Sequence, residues 1–201
     1  MTDKNIDFYW DIGSTNTYFA FHLIKPIAAE TGASISYIPF NLGYVFRHHN
    51  YALSDEPRAK LANRGRDLQR WAEKHELPFR VPDKFPIKTS RILRGALVAA
   101  NHGLEDVYLK AIFSEYWERN NAAIESYAGL APIVEALGLE GDRFQGECES
   151  EPVKQQLITL TQQALANGIF GAPTFVVGQE IFWGKDRLDF VRDQLLRQPD
   201  G

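Results

Sequence analysis

The chain has 201 residues, 44% of them hydrophobic, and a formal net charge of −4. That is enough apolar material for one large or two small globular domains, and the acidic balance excludes a general nucleic-acid binder, which needs a basic stripe. Cys148 is the single cysteine, which excludes an internal disulfide, a C-x-x-C redox pair and a cysteine-built zinc site.

In chain order, Phe8 to Ile12 is apolar and aromatic apart from Asp11 and predicts a buried strand. Asp11, among those aromatics, is expected to meet a cation or cap the following turn. Gly13-Ser14 breaks the strand, and Tyr18, Phe19, Phe21 and Leu23 begin a helical spacing over about 15–30. Ser14 therefore falls at a helix N-terminus, where free backbone amides and the helix dipole favour an anion; its ordinary role there is an N-cap. Pro26 is expected to kink or end this helix, and Gly32 to close it. Ser34 to Pro39 alternates as a second strand, so strand, helix and strand form a βαβ unit with parallel strands.

Residues 41–56 read as loop, with His48 and His49 solvated rather than metal-binding. Amphipathic helices are predicted over about 57–75, 90–102, 104–119, 128–137 and 151–167, with a Pro- and Lys-rich loop at 77–88 and no strand signal between 45 and 168. Sheet signals return at Gly171 to Gly184, with Gly178-Gln179 as a tight hairpin turn. Asp186 is expected to cap a last helix, with Asp189 as the partner of a capping box. The acidic neighbours of Cys148 are expected to raise its pKa. No signal-peptide pattern opens the chain and no apolar run approaches the ~18 residues of a membrane span, so a cytoplasmic setting is expected.

The order βαβ, helical insertion, β-hairpin, α predicts an α/β, thioredoxin-like sheet with a large all-helical insertion. Its expected division is 1–44 with 169–201 for the thioredoxin-like unit and 45–168 for the inserted one. Three stretches carry a closer resemblance: Asp7-Phe8-Tyr9-Trp10-Asp11 with Ser14 and Tyr18; Asp67-Leu68-Gln69-Arg70-Trp71-Ala72; and Ile169 to Phe175 continuing through Phe182-Trp183-Gly184-Lys185-Asp186-Arg187-Leu188. Together they span nearly the whole chain, which resembles the 2-hydroxychromene-2-carboxylate isomerases and their relatives, the kappa-class glutathione transferases. The resemblance implies a glutathione-dependent cis–trans isomerase of an aromatic pyruvate-type acid, with Ser14 holding the glutathione sulfur. It implies a cis Pro173, with the backbone of Ala172 pairing with the tripeptide. It places Lys60 near the glutathione and substrate carboxylates, Lys185 and Asp186 at the γ-glutamyl end, and Asn50 close to a family asparagine. A homodimer would match the relatives. Two positions depart from the pattern: Thr15 and Asn16 stand where the family commonly has proline and an aromatic, and Lys185 where it usually has a small polar residue.

Glutathione transfer to an electrophile uses the same thiolate and is the alternative reaction; a non-catalytic glutathione-binding module is the alternative outside the enzymes. A serine hydrolase is disfavoured, because Ile12 and Asn16 stand where a G-x-S-x-G elbow needs glycines. His22, eight residues along the same helix, is expected to pack rather than to serve as its base.

Overall fold

The computed structural model describes residues 4–52 and 55–197. Strand β1 (Asn5–Trp10) lies at the middle of a four-stranded sheet of order β2-β1-β3-β4. It pairs in parallel with β2 (Ser34–Pro39) and antiparallel with β3 (Thr174–Val177), which turns back into β4 (Glu180–Trp183). Gly178, at φ 64°, supplies the positive φ of that hairpin turn. Alternation along β1 divides its side chains between two cores. Ile6, Phe8 and Trp10 join the main core, where Trp10 and Phe21 both pack on Phe113 of the helical block; Tyr9 joins a smaller one with Phe40 and Ile169.

Helix α1 (Thr15–Thr31) runs between β1 and β2 and ends at Gly32. It does not end at Pro26. The proline removes one backbone bond, but Phe19, Ala20, Phe21 and Ile24 before it and Ala28 after it are buried, and that packing holds the helix through. Helix α2 (Leu42–His48) corrects the expected loop: Asn41 caps it by accepting from the Tyr44 amide at 2.8 Å, and Leu42 and Val45 are buried. Helices α3 (Arg58–His75), α4 (Ser90–Asn101), α5 (Glu105–Trp117), α6 (Tyr127–Ala136) and α8 (Glu151–Ala166) fall where periodicity predicts them. A further helix, α7 (Gly141–Glu149), was not expected. Its N-cap is Glu140, whose carboxylate accepts from the amides of Asp142 and Arg143. Asp186 does not cap the last helix from outside; it lies in a 3-10 turn (Lys185–Arg187) that leads into α9 (Leu188–Arg197). The resulting architecture is the expected thioredoxin-like α/β sheet with a helical insertion. Among the described residues no helix is long and apolar enough to cross a membrane.

Candidate active site

The turn between β1 and α1 is tied down on every side. The Asp11 carboxylate is buried and accepts from the Gly13 amide (2.8 Å), the Leu42 amide (2.9 Å) and the Thr89 hydroxyl (3.1 Å). Among the described residues it meets no cation, so of the two expected roles it takes that of capping the following turn, through the Gly13 amide, and it braces that turn against Leu42 and Thr89 as well. Burial pushes its pKa up to about 6, against the three hydrogen bonds that pull it down. The Ile12 carbonyl accepts from the Trp117 indole at 3.1 Å, and the Ser14 amide closes the turn on the Asp11 carbonyl.

Ser14 is both a cap and more than a cap. Its Oγ accepts from the Thr17 amide at 3.4 Å and donates to the carbonyl of Ala172 at 2.8 Å. The Ala172-Pro173 peptide bond is cis, as the resemblance implies. The Gly184 amide donates to the Pro173 carbonyl at 2.9 Å, which leaves the Ala172 carbonyl facing the helix start. Gly184 sits at φ 109°, and a Cβ there would stand 2.6 Å from the Asp186 carboxylate, so only glycine fits the bend. The amides of Thr15 and Asn16, in the open first turn of α1, have no hydrogen-bond partner among the described residues.

Asn16 also lines a cavity of about 300 Å³ together with Lys60, Arg64, Asp67, Lys185 and Asp186. Lys185 is buried, its Nζ 3.7 Å from Asp67 Oδ2 and 4.6 Å above the Trp71 ring; burial lowers its pKa while Asp67 and Asp186 raise it. Lys60 and Arg64 both pair with Glu56, at 3.1 and 2.5 Å. The Asp186 carboxylate accepts from Arg187 at 2.7 Å. The structure thus assembles two groups of the sequence-predicted residues: Ser14 with Ala172 and Pro173, and Lys60 with Lys185 and Asp186. Asn50 joins neither; it is exposed at φ 53°, just past the end of α2. Arg64 and Trp71 received no role from the sequence, nor did Asp67, although the 60, 64, 67, 71 spacing places all four positions on one face of α3.

The other reactive side chains lie elsewhere. Burial, more than its acidic neighbours, pushes the Cys148 thiol up to about 12. His22 packs edge-on against Tyr18, its Nε2 3.9 Å from Glu118, and makes no hydrogen bond to Ser14.

The model of the DSBA-like thioredoxin domain matches residues 5–196. The chain is 31% identical to the 2-hydroxychromene-2-carboxylate isomerase of Sphingobium xenophagum over 195 residues, covering 96% of this chain and 98% of that one. It is 26% identical to glutathione S-transferase kappa 1 of Caenorhabditis elegans, covering 96% and 91% of the two chains. A solved 2-hydroxychromene-2-carboxylate isomerase superposes with a TM-score of 0.84 at 25% identity, covering 96% of this chain and 95% of the other. The chain belongs to the DSBA-like thioredoxin domain family and, within it, to the 2-hydroxychromene-2-carboxylate isomerase family, with the kappa-class glutathione transferases as relatives.

Proposed function

We propose that this protein is a glutathione-dependent cis–trans isomerase of an aromatic pyruvate-type acid. In this reading 1–44 and 169–201 form the thioredoxin-like unit that binds glutathione and 45–168 the inserted helical one. The observation that carries the reading is the Ser14 hydroxyl at the open end of α1, 2.8 Å from the carbonyl that precedes cis Pro173.

The residues present fit the tripeptide. The free amides of Thr15 and Asn16 and the Ser14 hydroxyl suit a sulfur anion, the Ala172 carbonyl suits a peptide N–H, and Lys60, Lys185 and Asp186 suit the charged ends. When bound, glutathione supplies a thiolate that adds reversibly to the conjugated acid and lets its double bond rotate.

Holding that thiol ionised at neutral pH requires about 2–3 kcal/mol of preference for the anion, since an ordinary thiol titrates near 8.5. A hydroxyl hydrogen bond to an anion contributes about 1.5–3 kcal/mol and a helix N-terminus about 0.3–1. Ser14 must first release the Ala172 carbonyl, a neutral bond with a net contribution of about 0.5–1.5 kcal/mol. The exchange is balanced if that carbonyl then accepts the tripeptide's amide, so main-chain docking and thiolate stabilisation are coupled through one hydroxyl.

Transfer of glutathione to an electrophile is the second reading, favoured by the kappa-class relative. Titration calorimetry with glutathione, followed by turnover of a conjugated aromatic keto acid with and without it, tests the proposal. Absence of glutathione binding at millimolar concentration overturns it; binding with stable conjugate accumulation favours the transferase.

A further inference from the structure

A second and larger cavity, about 860 Å³, borders the turn that precedes Ser14, with Gly13 and Asp11 in its wall. Its size falls within the range of small-molecule sites. One wall is a face of α2, with Leu42, Phe46 and Arg47; the other is the 85–94 segment, with Phe85, Ile87 and Lys88. Four cations line it in a chain whose net charge is −4. Two of them are already engaged. Arg94 grips Glu149 with both terminal nitrogens, and Arg91 donates to the Glu125 carbonyl and lies 5.6 Å over the Tyr127 ring. Arg47 and Lys88 are exposed and have no salt-bridge partner among the described residues; Glu125, which pairs with Lys84, accepts from the Lys88 backbone amide and also acts on its ammonium beyond salt-bridge distance. The one carboxylate in the wall, Asp11, is turned inward onto three donors. The cleft therefore offers two positive charges without salt-bridge partners among the described residues, one on each wall, beside aromatic surface.

We propose that this cleft seats the electrophilic co-substrate and that Arg47 and Lys88 determine specificity by holding the carboxylate of an aromatic acid whose ring lies against Phe46 and Phe85. Arg47 offers a planar fork matched to a carboxylate and Lys88 a mobile point charge. The assignment rests on the isomerase reading for the identity of the acid, and it adds the residues that select for it.

The test is direct binding, without glutathione, of benzylidenepyruvate and of its uncharged methyl ester. Wild type is expected to bind the acid at least tenfold more tightly than the ester, with the acid alone weakened by added salt. In the double variant Arg47→Gln/Lys88→Gln the preference should collapse to within about twofold. It should persist in Arg70→Gln, which removes an exposed cation from α3 outside the cleft. Equal binding of acid and ester by wild type, an acid affinity insensitive to salt, or a preference retained in the double variant each overturns the proposal. Because glutathione takes no part, a failure of glutathione binding overturns the isomerase reading and leaves this result to stand or fall by itself.

Discussion

The Ser14 corner and the Lys185 rim sit at the same end of the sheet, where β1 and β4 finish, but are built from different materials. At the corner the functional groups are backbone positions and short side chains, mostly buried, with Asp11, Gly13, Ser14 and Ala172 tied to one another or to Leu42 and Trp117 by hydrogen bonds. At the rim they are long charged side chains from α3 and the 3-10 turn, and Glu56 and Asp67 already pair with their cations. The electrostatics follow. Burial pushes the corner's Asp11 up to about 6, whereas hydrogen bonds from Tyr51 and Lys60 hold the rim's Glu56 below the usual carboxylate range. The corner is suited to fixing chemistry within a few tenths of an ångström; the rim is suited to attracting and orienting a charged ligand at little cost in stability.

The largest expected effect is on stability at the corner. The raised pKa of Asp11 means that the folded state holds its proton more tightly than the unfolded one, so this group's contribution is fully present below about pH 4. It is lost as pH rises to about 6. The shift corresponds to about 3 kcal/mol. Urea unfolding of wild type and Asp11→Asn from pH 3.5 to 7 should show the difference between the two falling by about that amount. A flat difference would mean that Asp11 titrates alike in the folded and unfolded states.

Ser14→Ala comes next. Loss of the hydroxyl should raise the pKa of bound glutathione by roughly 1–2 units, lower turnover at neutral pH by about one to two orders of magnitude, and let it recover partly as pH rises. Thiolate absorbance of the complex across pH is the measurement. Identical curves for wild type and variant would reduce Ser14 to a helix cap that ties down Ala172.

At the rim effects should shrink. Lys185→Met keeps an apolar stem over Trp71 and removes the charge between Asp67 and the cavity. We expect glutathione affinity to fall about five- to tenfold with the thiolate pKa unmoved, by calorimetry and absorbance together. Unchanged affinity would make Lys185 a rivet between α3 and the turn after β4. Lys60→Ala should be milder still, about two- to fivefold in KM and within ~0.5 kcal/mol in stability, because Lys60 is 62% exposed and Arg64 also pairs with Glu56. A loss larger than that for Lys185 would reverse the order of the two lysines.

The same contrast separates what was legible beforehand from what was not. The β1–turn–α1 corner, the hairpin and the helices with a clear 3.6 period are local patterns, and a strand break at Gly13-Ser14 or a turn at Gly178 is written in adjacent residues. The cis bond before Pro173 followed from the resemblance of the whole C-terminal run, not from the proline. Helices α2 and α7 were not legible: the first is 7 residues with two buried positions, and the second carries Gly141 and Gly146 within 9. Each owes its stability to a cap and to a surface supplied by other elements.

By itself the sequence determined the order of the strands and of the longer helices, the absence of a cysteine at the helix start, and the placement of a hydroxyl at the mouth of α1. Those are properties of neighbours along the chain, settled by propensity, period and turn chemistry. Only the tertiary structure decided that Asp11 is a brace and not an ion-pair partner, and that Ser14 gives its proton to a carbonyl 158 residues away. It also decided that Lys185 lies buried on Trp71 and that Arg47 and Lys88 face one cleft without salt-bridge partners among the described residues. A charge's partner, and the dielectric around it, depend on which distant segments pack beside it, and no local pattern records that.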